Sequence, residues 1–208
     1  MEPLTKHAGV AVSLKRDNVD TDIIIPSREM KKVSKKGLGQ GLFANLRYLP
    51  DSRQPNPDFS LNDAARRGAS ILLSGRNFGC GSSREHAVWA LSEYGIRVII
   101  AESFGAIFYD NCIANGLLPI ALPHDAIDRI AQWTDEAPQQ QRPQIDLENL
   151  TISAGGFEAS FEIEDEKRRR LLGGLSSIDV TLERLLDIEK FQADDRLLRP
   201  WIHSNGEA

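Results

Sequence analysis

A chain of 208 residues is long enough for one substantial domain that needs no disulfide or metal staple, since folding at this length buries roughly 70% of the extended-chain surface. Hydrophobic residues at 41% and charged residues at 26% sit near the globular average, which excludes a chain that is disordered throughout. The net charge of −5, from 25 Lys+Arg against 30 Asp+Glu, supplies no global positive field for a polyanion, so general nucleic-acid binding is disfavoured.

Gly9 to Leu14 reads as the first strand, because Val10, Val12 and Leu14 alternate with small or polar residues. A polar turn, Asp17 to Asp22, leads into a short buried segment, Ile23-Ile24-Ile25, closed by Pro26. Arg28, Lys31, Lys32, Lys35 and Lys36 make a basic segment that Gly37, Gly39 and Gly41 then punctuate, and residues 50–58, with three prolines, form a loop. Ala69 to Leu73 predicts a strand, Ser83 to Tyr94 a helix, Arg97 to Ala101 a strand, Phe104 to about Asn115 a helix and Leu117 to Leu122 a strand. That alternation implies parallel pairing with right-handed crossovers and an α/β fold. Ala126, Ile127, Ile130 and Ala131 give an amphipathic helix, which Pro138 and the glutamine run before Pro143 end in a surface loop. Leu150 to Ser153 and Phe157 to Ile163 flank Ala154-Gly155-Gly156 as a hairpin. Charged residues 164–170 precede Gly173-Gly174, and a last helix from about Asp179 to Lys190 is expected to turn Leu182, Leu185 and Leu186 to the core.

Two cysteines, Cys80 and Cys112, lie far apart without a Cys-x-x-Cys unit, too few for a disulfide framework or a four-cysteine metal site, so any metal cluster belongs on another chain. The amino-terminal segment carries no long apolar run, and no stretch approaches the ~18 apolar residues of a membrane span. A soluble, reducing, cytoplasmic setting without membrane contact is expected.

The strongest chemical signal is Gly79-Cys80-Gly81-Ser82-Ser83-Arg84-Glu85-His86, set between a predicted strand and a predicted helix. Glycines there permit a tight, positive-φ path, and the free N–H groups of a helix's first turn favour a carboxylate or phosphate. It is neither common nucleotide loop: no Gly-x-x-x-x-Gly-Lys-[Ser/Thr] is present, and Arg84 stands where a third glycine would. Ser82-x-x-Glu85 also satisfies the spacing of a capping box, so Ser82 is open to a purely structural reading, with Ala87, Ala90, Leu91 and Tyr94 as the buried stripe. His86 and Cys80 read as a hydrogen-bonded and a packed residue rather than as base and nucleophile.

At these residues the chain resembles a family. Gly79 to Ala87 is similar to the Ser-Ser-Arg loop of the aconitase superfamily's mobile swivelling domain, and Asp17 to Pro26 and Gln54 to Phe59 resemble signatures of stand-alone small subunits of 3-isopropylmalate dehydratase (isopropylmalate isomerase). The likeness continues through Val98 to Pro119 and on to about residue 185, leaving 186–208 as the end of the last helix and a tail. It implies a single compact swivelling β/β/α domain over 1–208, and a hydro-lyase that interconverts 2-isopropylmalate and 3-isopropylmalate through isopropylmaleate in leucine biosynthesis. It further implies no cofactor on this chain and a [4Fe–4S] cluster on a separate large subunit, whose open iron acts as a Lewis acid. By position Ser82 is the residue that takes the proton from carbon, while Gly81, Ser83 and Arg84 bind substrate carboxylate, the arginine as a bidentate fork.

Calcium binding by Asp17, Asp20 and Asp22 is disfavoured, since Ile24 and Ile25 stand where an acidic residue and a glycine are required. Thr21 and Asp22 either orient groups of the cleft or form an Asx turn, and Arg28 is the candidate for a second carboxylate clamp. Two rival readings stand beside this one: the small subunit of a related hydro-lyase acting on homoaconitate, methylmalate or citraconate, and an anion-binding module without catalysis.

Overall fold

The computed structural model describes residues 1–30, 36–82 and 84–203. Strands β1 (Lys6–Ala8) and β2 (Val10–Leu14) are parted by Gly9 alone and join different sheets. A side chain at Gly9 would meet Ser70 Oγ at 1.9 Å, so only glycine lets the chain cross there. Next come the one-turn helices α1 (Thr21–Ile24) and α2 (Ala44–Arg47), with short 3₁₀ turns around them. The central unit follows: β3 (Ala69–Ser74), α3 (Glu85–Tyr94), β4 (Val98–Ala101), α4 (Ala106–Ala114), β5 (Leu118–Ala121) and α5 (His124–Glu136). The carboxy-terminal part holds β6 (Gln144–Asp146), β7 (Thr151–Ala154), β8 (Phe157–Ser160), α6 (Asp165–Gly173), α7 (Ser177–Leu182), α8 (Leu185–Leu198) and α9 (Pro200–His203).

The parallel sheet runs β2-β3-β4-β5, with Val12 beside Leu72 and Leu72 beside Ile99. Period-2 alternation sends Val12, Leu72 and Ile99 into one core with Ala87, Leu91, Phe78 and Phe108. The alternate residues Ile71, Leu73, Val98 and Ile100 enter a second core with Ile127 and Ile130 of α5. Burial on both faces explains the near-continuous apolar runs of these strands. An antiparallel sheet, β1-β6-β7-β8, closes the second core with Ile145, Ile152 and Ala154.

Three expectations change. The hairpin is half of a four-stranded sheet, because β1 and β6, at three residues each, are too short to show a period. Its second strand ends at Ser160 rather than Ile163. The short isoleucine segment is buried at Ile24 and Ile25 as expected, and Asp20, accepting a hydrogen bond from the Ile23 N–H at 2.7 Å, winds residues 21–24 into helix α1. The last helix is broken into α7 and α8, and Leu182, Leu185 and Leu186 are exposed instead of facing the core.

Ile99 lies at the centre of β4 with 0% exposure. Ile99→Ala is expected to cost about 2–5 kcal/mol in a urea melt, the range for deleting a close-packed aliphatic side chain. A loss below about 1 kcal/mol would contradict the two-sided core.

Candidate functional site

Three loops meet at the carboxyl edge of the parallel sheet, where open α/β sheets place their ligands. They follow β2 (15–20), β3 (75–84) and β4 (102–105). The middle loop is held from both sides by backbone bonds. On one side the Asn18 N–H donates to Arg76 C=O at 2.9 Å, Gly79 N–H to Val19 C=O at 2.7 Å and Thr21 N–H to Cys80 C=O at 3.0 Å. On the other, Phe78 N–H donates to Ser103 C=O and Gly105 N–H to Phe78 C=O, both at 2.9 Å. Asp17 adds an ion pair with Arg76 at 3.0 Å and accepts from the Arg76 N–H.

Gly79 is required twice over. Its φ is 73°, and a Cβ there would lie 2.1 Å from the Phe108 ring. The close approach draws α4 against the loop, with Phe78 and Phe108 edge to face at 5.4 Å.

The chain then rises to Gly81, with φ of 92°, and Ser82, both exposed. Ser82 Oγ lies 3.1 Å from Oγ1 of the buried Thr21, which also donates to the Ser82 C=O at 3.3 Å. A threonine has one hydroxyl proton. Given to the carbonyl, it leaves Ser82 as donor to Thr21; turned the other way, it reaches Ser82 Oγ. Arg84 pairs through Nη1 with Asp22 Oδ1, at the start of α1. Its side chain is 33% exposed, so the pair is screened and worth at most about 1 kcal/mol. Nη1–Asp22 takes one N–H of a group that has five.

The structure thus brings Thr21, Asp22, Ser82 and Arg84 together beside Gly81. Ser83 lies outside the described residues, as do Lys31, Lys32 and Lys35. Arg28 goes elsewhere: it pairs with Glu29 at 3.4 Å and lines a hollow with Tyr48 and Arg53, and no contact among the described residues joins it to Ser82.

The capping-box reading is overturned. Helix α3 begins at Glu85 with Arg84 at the N-cap and no side-chain cap bond. The Glu85 carboxylate instead accepts from Asn115 Nδ2 at 2.9 Å, and Asn115 Oδ1 accepts from Trp89 Nε1 at 3.0 Å. The Ser82 hydroxyl is met by Thr21 Oγ1 at 3.1 Å. His86 packs against Trp89 with ring centroids 4.8 Å apart and the planes tilted by 56°.

A [4Fe–4S] cluster does not fit the residues present. Cys112 is wholly buried, which pushes its thiol up, Cys80 sits half-buried in the loop, and no three His, Cys, Asp or Glu residues cluster among the described ones. Sequence reasoning missed Phe108 and Gly105, which shape the loop without touching its exposed face. A side chain at Gly105 would meet the Gly79 carbonyl oxygen at 2.7 Å, a tertiary closeness with no local signature.

The aconitase C-terminal domain family matches residues 1–125, the stretch that carries β1 to β5 and all of this site. A 3-isopropylmalate dehydratase small subunit from Cupriavidus necator is 53% identical over 99% of this chain and 100% of its own length. The chain belongs to the 3-isopropylmalate dehydratase small-subunit family. Another small subunit, from Marinobacter nauticus, is 46% identical over 99% of this chain and 100% of its own. A solved 3-isopropylmalate dehydratase structure from Methanocaldococcus jannaschii superposes with a TM-score of 0.64 at 29% identity, covering 89% of this chain and 98% of that one. The expected α/β fold class of the aconitase type therefore holds for this chain.

Gly79→Ala is expected to destabilise the chain by at least about 2 kcal/mol, from left-handed strain plus the collision with Phe108. Chemical denaturation measures it, and a change within about 0.5 kcal/mol would show that the loop does not depend on that contact.

Proposed function

We propose that this chain is the small half of a cytoplasmic hydro-lyase that interconverts 2-isopropylmalate and 3-isopropylmalate through isopropylmaleate, a step of leucine biosynthesis. A large subunit carries the [4Fe–4S] cluster and the rest of the site, and no step on this chain runs through that cluster. The observation that carries the reading is the convergence of Thr21, Asp22, Ser82 and Arg84 on one exposed glycine loop, in a chain 53% identical to a named small subunit across its length.

In this reading the Ser82 alkoxide, whose own proton has gone to solvent before the substrate is covered, takes the proton from the substrate carbon at Oγ. The freed electron pair forms the double bond, and the hydroxyl on the neighbouring carbon departs as hydroxide into the large subunit's half of the site. A serine hydroxyl is a poor base until its alkoxide is stabilised. The start of α3 lowers that cost by at most about 2 kcal/mol, on the order of one and a half pK units. The Thr21 hydroxyl supplies more by turning from the Ser82 carbonyl to Ser82 Oγ, which its 3.3 Å and 3.1 Å contacts permit without moving an atom heavier than hydrogen. The positive Arg84 lies two residues on, and the partner's charges complete the field. Substrate carboxylate is held by Arg84 in a two-pronged contact, with Gly81 and Ser83 as neighbouring donors. Asp22 keeps the guanidinium in place until substrate arrives. Because that pair is weak, an incoming carboxylate competes for Arg84 at small cost.

The test is anaerobic reconstitution with the large subunit, with hydration of isopropylmaleate, citraconate and cis-aconitate compared. Isopropylmaleate is expected to give the highest kcat/KM; a preference for either other acid would move the chain to a sister hydro-lyase. Ser82→Ala is expected to cut kcat at least roughly a hundredfold, the range of general acid–base catalysis. Arg84→Lys is expected to lower kcat/KM by more than roughly threefold, since lysine keeps the charge and loses the fork. A Ser82→Ala enzyme that keeps a third or more of its kcat would place the base elsewhere.

A further inference from the structure

We infer that Asn115 is the positioning residue that holds Arg84 ready for substrate carboxylate, an inference that rests on the dehydratase reading above. In that reading the incoming carboxylate competes with Asp22 for the guanidinium, so the Asp22 contact cannot be what fixes Arg84 in the loaded site. The backbone has to do it. Arg84 stands at the N-cap of α3 in an extended conformation, and no side chain caps the first turn. A helix start without a cap leaves its first N–H groups to water and frays readily.

The hold comes from the next residue. Glu85 sends its carboxylate across to the end of α4, where Asn115 Nδ2 donates to Oε1 at 2.9 Å. The same Nδ2 donates to the Asn111 carbonyl at 2.9 Å, and Asn115 Oδ1 accepts from Trp89 Nε1 at 3.0 Å. These bonds fit one orientation of the amide only, because an indole N–H can only donate while a carboxylate and a carbonyl can only accept. A carboxylate in the amide's place would lose both donors and face Glu85 as a like charge.

The segment that carries the site is thus strung between two ties. At one end Thr21 Oγ1 meets Ser82 Oγ at 3.1 Å and the Ser82 carbonyl at 3.3 Å, and the Arg84 N–H donates to that carbonyl at 2.8 Å. At the other end Asn115 holds Glu85, the residue that follows Arg84. That bond is charge-assisted and partly buried, so solvent screens it less than the exposed pair of Arg84 with Asp22. The body of α3 does not need it, since Ala87, Val88 and Leu91 are wholly buried in the first core. The work of Asn115 is therefore local to Arg84. Because Ser82 has its own tie, losing the hold on Glu85 weakens binding and spares the proton transfer.

The experiment compares Glu85→Ala with Glu85→Gln in the full chain, reconstituted anaerobically with saturating large subunit. Alanine keeps a good helix former at the start of α3 and removes the acceptor, whereas the amide oxygen of glutamine accepts the same N–H. Glu85→Ala is expected to raise KM for isopropylmaleate at least about tenfold with kcat within about threefold, and Glu85→Gln to leave both within about threefold. Asn115→Asp is expected to raise KM likewise, and adding Glu85→Gln to it to restore KM, because donor and acceptor then change places across the same gap. In the Arg84→Lys background Glu85→Ala is expected to add less than about threefold, since its effect runs through the arginine. An unchanged KM, a Glu85→Gln variant as damaged as Glu85→Ala, or the full cost again in the Arg84→Lys background would overturn the proposal. A readout without turnover stands beside these. In the isolated chain the order parameter of the Arg84 amide is expected to fall from about 0.85 to below about 0.6 in Glu85→Ala and to hold in Glu85→Gln, and no fall overturns the tie. A wild-type complex that does not hydrate isopropylmaleate, with the order parameter falling as expected, would sink the dehydratase reading and leave the tie standing.

Discussion

Everything at the carboxyl edge of the parallel sheet depends on one close approach, the Phe108 ring lying where the Cβ of any other residue at position 79 would be. That contact pins α4 to the loop after β3, and the loop's two rows of backbone hydrogen bonds follow from the path it imposes. On one side the row captures Val19 and Thr21, and with them the start of α1. Because α1 is anchored by Asp20, it then presents Thr21 and Asp22 to Ser82 and Arg84, residues about sixty positions away in the chain. A loop this short holds its shape because both flanks are bonded and its left-handed turns fall on Gly79 and Gly81 and on Asn77, asparagine being among the side chains that tolerate that region.

The electrostatics of the site are those of an open, solvated surface. Ser82 and Gly81 are exposed, Arg84 pairs with the screened carboxylate of Asp22, and Thr21 is buried. In water such groups do little: a solvated ion pair is weak, and a solvated serine keeps its proton. Covered by a second chain, the same groups act in a low dielectric, where each fixed dipole and charge gains strength. In the reading proposed above, the exposed loop is the half of a cleft that a large subunit completes.

Much of this is legible in the residues. The β3–α3–β4–α4–β5 unit stands in the sequence because apolar runs of strand length alternate with amphipathic spans, and observed ends fall within two residues or so of those read. Glycine, serine and arginine in order show the loop. What is hidden is tertiary. Ser82-x-x-Glu85 has the spacing of a capping box, but Asn115 at the end of α4 takes the glutamate, and no local pattern reveals that competitor. Asp20 turns β-branched isoleucines into a helix because a cap outweighs propensity over one turn. Leu182, Leu185 and Leu186 carry the spacing of a core-facing stripe, yet spacing reports only that a face is apolar, never whether its partner lies in the same chain.

That the chain is half of an active site is tested most directly by titration. Large subunit at fixed concentration receives increasing amounts of this chain under anaerobic conditions, and formation of isopropylmaleate from 3-isopropylmalate is followed by its absorbance. The rate is expected to start from nothing, rise linearly and break at one chain per large subunit, with neither component active alone. Turnover by this chain by itself, or by the large subunit at its full rate before any is added, would contradict the account.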